Sequence, residues 1–198
     1  MLDLDNPLAG HMAVHILAMN VAAPLAVVAA KSLLPERAQR SAYRRIGTAS
    51  VLQLAVLWGW HTPPALQFAL ASPGGSLAMQ LSLLAAALWF WLCVVSAAGE
   101  SPWRAVLALL ITGKLFCLLG ALLTFAPRLL YPGLAGGHAP AASIPIEAAL
   151  ADQHLAGLLM LVACPLTYVL AGIVIAAHWI LGRADDGHAL ARSTAWKR

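Results

Sequence analysis

The chain has 198 residues, 61% of them hydrophobic and only 10% charged, with a formal net charge of +4 and a mean hydropathy of +0.80. A soluble domain carries roughly 25% charged residues and cannot bury so much apolar surface, so the composition excludes a soluble fold and calls for a polytopic membrane protein. The apolar runs are continuous and rich in Leu and Ala, which excludes a transmembrane barrel with its alternating strands of about ten residues.

The expected fold class is all-α, a polytopic transmembrane helical bundle of about five spans, each of about 20 residues as a bilayer core demands. The first runs from about Leu8 to Ala30, the second from Ile46 to His61, the third from Ser76 to Ala98 and the fourth from Trp103 to Phe125. The fifth, from near Ala151 to near Leu181, is longer than a simple crossing needs and is expected to tilt or project. Residues 1–182 read as one transmembrane domain and 183–198 as a basic cytoplasmic tail. Met1 to Pro7 carries Asp3 and Asp5 but no basic residue, so the first span reads as a retained helix, not a cleaved signal.

Lys31, Arg37, Arg40, Arg44 and Arg45 fill the first loop, Arg104 the third, and Arg183, Arg192, Lys197 and Arg198 the tail. By the positive-inside rule this places the N-terminus outside and the C-terminus in the cytoplasm. The positive charge is therefore a topology device, and no nucleic-acid partner is expected. Cys93, Cys117 and Cys164 all fall within spans without a CxxC pair, so neither a disulfide framework nor a thiol shuttle is implied. Ser72-Pro73-Gly74-Gly75 reads as a tight outer turn, and Pro127 to Leu150 as a long outer loop over the helix ends.

Five ionisable side chains, His11, His15, His61, Asp152 and His154, collect at the outer end of these spans. Such groups at membrane depth are costly, which makes the cluster a functional-site hypothesis. His11 and His15 are four apart on one helix face, a spacing that can offer two imidazoles to one metal, and Met19 continues the stripe. The alternative is a pair of interfacial histidines bonded to headgroups or loop carbonyls. The prolines of His61-Thr62-Pro63-Pro64 are expected to end or kink the second helix just past His61. Trp58 and Trp60 read as belt or packing residues.

Asp152-Gln153-His154 is expected to open the fifth helix. Asp152 there is either an ordinary dipole-favoured carboxylate or a ligand or orienting acceptor for an imidazole. The dipole ends of the first and fifth helices would keep His11, His15 and His154 neutral. Deeper in the fifth helix, Met160 and Cys164 share a stripe with Asp152. With Cys93 and Cys117 they offer either a soft path suited to Cu(I) or plain apolar packing. Lys114, within the fourth span, is expected to snorkel outwards or to pair with Asp152 or an anion. His178 has no histidine partner at its depth, and His138 and His188 are expected in solvent.

His11-Met12-Ala13-Val14-His15 with Ala23-Pro24-Leu25, Trp60-His61-Thr62-Pro63, Phe90-Trp91, Leu130-Tyr131-Pro132 and Asp152-Gln153-His154-Leu155-Ala156-Gly157-Leu158-Leu159-Met160 follow one another along most of the chain. Together they resemble the CtaG family of membrane-embedded cytochrome c oxidase assembly factors. The resemblance implies a role in making active haem–copper oxidase in a bacterial inner membrane, with copper handling at His11, His15, His61 and Asp152. The chain departs from the family pattern in having about five spans where fuller members have seven, and in carrying Leu77 and Gln80 where histidines often open the third span.

The expected function is thus a non-catalytic assembly factor that binds copper at its outer face and passes it to a haem–copper oxidase subunit. No nucleophile set, phosphate loop or pair of catalytic carboxylates points to an enzyme. The alternatives are a haem b protein with His15 and His61 as axial ligands, or a structural accessory subunit of an oxidase.

Overall fold

A computed structural model describes residues 7–131 and 145–195, with side chains for 8–131 and 145–183. Every described element is helical, and four helices are long and apolar enough to cross a membrane: Leu8–Leu33, Pro73–Glu100, Pro102–Phe125 and Ile146–Arg183. The remaining expected span, Ile46–Trp60, is a shorter apolar helix.

The first span is not one regular helix. α1 (Pro7–Leu17) passes through a widened π-turn (Ala18–Ala22) into α2 (Ala23–Ala30), which closes in a 3-10 turn (Lys31–Leu33). Pro24 explains the widening. It has no N–H to donate, and its ring crowds the carbonyl of Asn20 four residues earlier. The Ala23 N–H bonds back to the Ala18 carbonyl instead. In that register the Met19 carbonyl would look to residue 24 for a donor, and the Trp91 indole N–H supplies it from across the bundle at 2.9 Å. The turn brings Met19 and Asn20 both into the interior.

The basic stretch expected as loop is helical in part. α3 (Glu36–Arg44) starts at an extended Pro35, with Glu36 in its first turn and Arg44 in its last, which suits the helix dipole. The Gln39 amide closes off the preceding span by donating to the carbonyls of Lys31 and Leu34. α4 (Ile46–Trp60) has 15 residues, roughly 22 Å, which is short of the bilayer core. It stops where the prolines were expected to stop it, and α5 (Pro63–Ala71) restarts with proline in its first turn.

Two expectations of boundary need correction. Ser72-Pro73-Gly74-Gly75 is not a free turn: Ser72 accepts the Gly75 N–H at 3.0 Å and caps α6 (Pro73–Glu100), whose first turn holds the proline and both glycines. The fifth helix of the sequence reading, here α8 (Ile146–Ala195), begins before Asp152, which therefore lies in its second turn. α7 (Pro102–Phe125) matches its expected limits within a residue.

α6 is the central rod and touches α2, α3, α4, α5 and α7, while α8 packs on α7 and α1. In lipid there is little hydrophobic drive between helices, so close contact between small residues carries the packing. A Cβ on Gly157 would stand 2.6 Å from the Thr124 amide nitrogen, and one on Gly120 would stand 2.9 Å from that of Leu161. Only glycine permits this crossing of α7 and α8. Tyr168, Phe90, Trp91 and Phe116 form an aromatic core with ring centroids 5.4–5.8 Å apart. The Gln53 amide donates to the Tyr168 hydroxyl at 2.7 Å inside it.

Candidate metal centre

Three of the five expected site residues converge. His11 and His15 on α1 have ring centroids 5.4 Å apart, and His15 lies 5.5 Å from His61 at the end of α4, each pair edge to face. The helical i, i+4 spacing accounts for the first pair. The second follows from the chain break at Thr62-Pro63, which leaves His61 as the capping residue of α4. His15 is 1% exposed and His61 5%, while His11 is half-buried at the open side.

Two methionines complete the cluster. His61 Nε2 lies 3.2 Å from the Met12 sulfur, and His11 Nε2 lies 3.4 Å from the Met79 sulfur. Met12 and Met79 are fully buried. Met79, on α6, stands between Leu77 and Gln80, so the third long span does contribute a soft donor where histidine was noted as missing.

The hydrogen bonds of His61 determine what that nitrogen–sulfur approach means. Nδ1 is 2.7 Å from the Leu57 carbonyl. A carbonyl only accepts, so Nδ1 carries the proton, and in the neutral ring Nε2 is then a lone pair. The Met12 thioether is an acceptor as well. Two electron pairs thus face each other across 3.2 Å, an arrangement that a soft cation or an added proton would reconcile. Imidazole and thioether at metal-bond lengths around a tetrahedral ion would stand about 3.5 Å apart, so these pairs are close to that spacing.

His15, between the other two rings, has no hydrogen-bond partner at either ring nitrogen among the described residues. Among the described residues no three His, Cys, Asp or Glu side chains stand as a ready-made metal-binding group. The cluster is instead a row of three imidazoles with a thioether at each end.

Asp152 and His154 do not join the three rings. Both Asp152 oxygens are held by α1 amides, accepting from Leu8 at 2.9 Å and Ala9 at 3.0 Å. The dipole that Asp152 complements is therefore that of α1, not of its own helix. His154 Nε2 donates to the Ala126 carbonyl at 3.1 Å, towards the end of α7. The expectation that helix dipoles act on His15 and His154 also fails, because both lie well past the first turn, where the dipole effect has decayed.

Gln153 and Tyr131, not among the candidate site residues, are tied to the cluster by hydrogen bonds. Gln153 is buried, accepts the Leu130 N–H at 2.8 Å and donates to the Arg128 carbonyl at 3.3 Å. This clamp holds the segment after α7 so that the Tyr131 hydroxyl donates to the His61 carbonyl at 2.8 Å. Burial pushes the Tyr131 hydroxyl up to about 12, so it remains a donor at neutral pH. A polar residue flanking Asp152 and an aromatic one just before Pro132 were the available signals.

Beneath the cluster, the Asn20 amide donates to Cys164 at 3.2 Å, and Met160 is buried nearby on the same face of α8. Trp60 donates to Ser82 at 2.8 Å, so it is a packing residue with a fixed partner. Lys114 is exposed, level with Tyr168 on α8, and makes no pair with Asp152. His178 is exposed. Asp3, Asp5, His138 and the side chain of His188 lie outside the described residues.

Fold and site together define a polytopic helical membrane protein with an imidazole–thioether cluster buried at one end of its bundle. The family model for the cytochrome c oxidase caa3 assembly factor, Caa3_CtaG, matches residues 5–181. The chain belongs to that family. No curated protein and no solved structure matches it.

Proposed function

We propose that this oxidase assembly factor binds copper at His11, His15 and His61, with Met12 and Met79 as thioether donors, and hands the ion to a haem–copper oxidase subunit. One observation carries the reading: His61 presents an unprotonated nitrogen to a thioether while the neighbouring His15 has no partner at either nitrogen among the described residues. Buried polar atoms left so cost about 1–3 kcal/mol each, and a ligated ion would remove that cost. Mixed imidazole and thioether donors favour Cu(I), and none carries a formal charge, so the ion can be released by ligand exchange.

Asp152 and Gln153 serve this site from outside, one anchoring the start of α1 and the other holding Tyr131 over His61. On this reading the role is non-catalytic, the membrane is the bacterial inner membrane, and the cluster faces outward, with the basic loops in the cytoplasm. A haem b between His15 and His61 finds less support, because a macrocycle must separate axial rings that here meet edge to face at 5.5 Å.

Metal analysis of protein extracted in mild detergent without chelator tests the proposal. About one copper per chain is expected for the wild type, and a small fraction of that for His15→Ala and His61→Ala, with membrane insertion intact. Copper content unchanged in both variants rejects it. An absorption spectrum of the same samples reads out haem.

A further inference from the structure

Lys114 sits in the middle of a membrane-spanning helix and faces outward. α7 has 24 residues, and Lys114 is twelve from Pro102 and eleven from Phe125. At 1.5 Å per residue its Cα is roughly 16 Å or more from either end. A lysine stem reaches roughly 6 Å, so the ammonium cannot snorkel to a headgroup. Intramembrane lysines almost always face a bundle interior or a water-filled cavity, where a partner meets the charge. This one does neither. It is exposed, and among the described residues no carboxylate pairs with it.

The surface around it is apolar and uncovered. Lys114 lines a groove of about 70 Å³ between α7 and α8, with Gly113, Cys117, Pro165 and Tyr168. Leu110 and Leu118, one turn either side, are both 49% exposed. α8, the other wall, is the least covered long helix, with 17% of its apolar stretch buried against 39–50% for the other three.

We infer that this face docks a transmembrane helix of a partner membrane protein that presents a carboxylate at mid-membrane depth. The charge chooses among the occupants. A lipid headgroup lies beyond reach, as the helix arithmetic shows. A second copy of this chain has no suitable acid: the eight are Asp3, Asp5, Glu36, Glu100, Glu147, Asp152, Asp185 and Asp186. All but Asp152 flank the spans or lie near their ends, and Asp152 is committed to the amides of Leu8 and Ala9. The inference is independent of copper binding and stands or falls without it.

The test places a photo-crosslinking residue at Leu110 or Leu118 of the full chain in its native membrane, with Leu81 on the exposed face of α6 as control. The expected result is a discrete protein adduct from positions 110 and 118 but not from 81. Its yield should fall at least tenfold in Lys114→Leu and Lys114→Glu and persist in Lys114→Arg, with all variants equally abundant in the membrane. The adducted helix should carry a mid-span Asp or Glu, and its replacement by Lys should restore the adduct with Lys114→Glu. An adduct of unchanged yield in Lys114→Leu, adducts to lipid alone, or a self-adduct of twice the chain mass would each overturn the proposal.

Discussion

His15 illustrates what a buried imidazole without a partner demands of its surroundings. Its burial would be poor design for a packing residue, since Leu or Phe would fill the same space without stranding two nitrogens. The thioethers at the two flanking rings give a sharper test than the histidines do, because methionine to leucine preserves volume. Met12→Leu and Met79→Leu should each weaken Cu(I) binding about tenfold, roughly 1.4 kcal/mol, with Zn binding little changed. Competition with a Cu(I) chelator measures this, and equal affinities would remove the sulfurs from the site. Tyr131 supplies a pH-dependent readout. Its hydroxyl is raised by burial from 10.0 to about 12, so the neutral form is the one that folding favours. The stability it contributes is whole below pH 10 and lost as pH rises through about 12. Thermal unfolding in detergent from pH 8 to 11.5 should show that alkaline loss in the wild type and a smaller one in Tyr131→Phe. Parallel curves would show that folding leaves the Tyr131 hydroxyl at its ordinary value.

At the scale of elements, two local irregularities shape the bundle. The π-turn before Pro24 leaves the Met19 carbonyl to Trp91, which ties the first span to α6 at that depth. Trp91→Phe should therefore destabilise the protein by about 1–3 kcal/mol, the cost of a stranded carbonyl. Pro24→Ala, which returns an N–H to the helix, should recover part of that loss in the double variant. Unfolding in mixed micelles would show the coupling, and strictly additive effects would argue against it. The second irregularity is the glycine crossing of α7 and α8. Gly157→Val drives a branched side chain into Thr124 and should cost about 1–3 kcal/mol or force the helices apart.

Across the whole molecule, α8 acts as the clasp. Asp152 reaches the start of α1 from more than 140 positions away, and Gln153 grips the segment that follows α7. Asp152→Ala should lower copper occupancy by loosening α1, while X-ray absorption of the copper-loaded wild type should show nitrogen and sulfur neighbours without a carboxylate. A carboxylate oxygen on the metal would return Asp152 to the ligand set. The same long-range logic accounts for what was legible beforehand. His11 and His15 share a face because helix geometry is local, and His61 sits at a helix end because prolines follow it. Asp152 looked like a dipole residue of its own helix or a partner of the metal site because the amides it holds belong to the opposite end of the chain. Met12 and Met79 were silent, since a methionine on an apolar stripe looks the same whether it packs or faces a nitrogen.

Apolar run length by itself determined the helical spans and their approximate limits, because bilayer thickness and backbone hydrogen bonding impose those locally, and the ordered motifs carried the resemblance to the family. Only the tertiary structure decided which imidazole meets which sulfur, that Asp152 holds an amide pair, and that Lys114 faces outward. Those facts depend on the rotation and depth of each helix against its neighbours, which close packing sets and no single segment encodes.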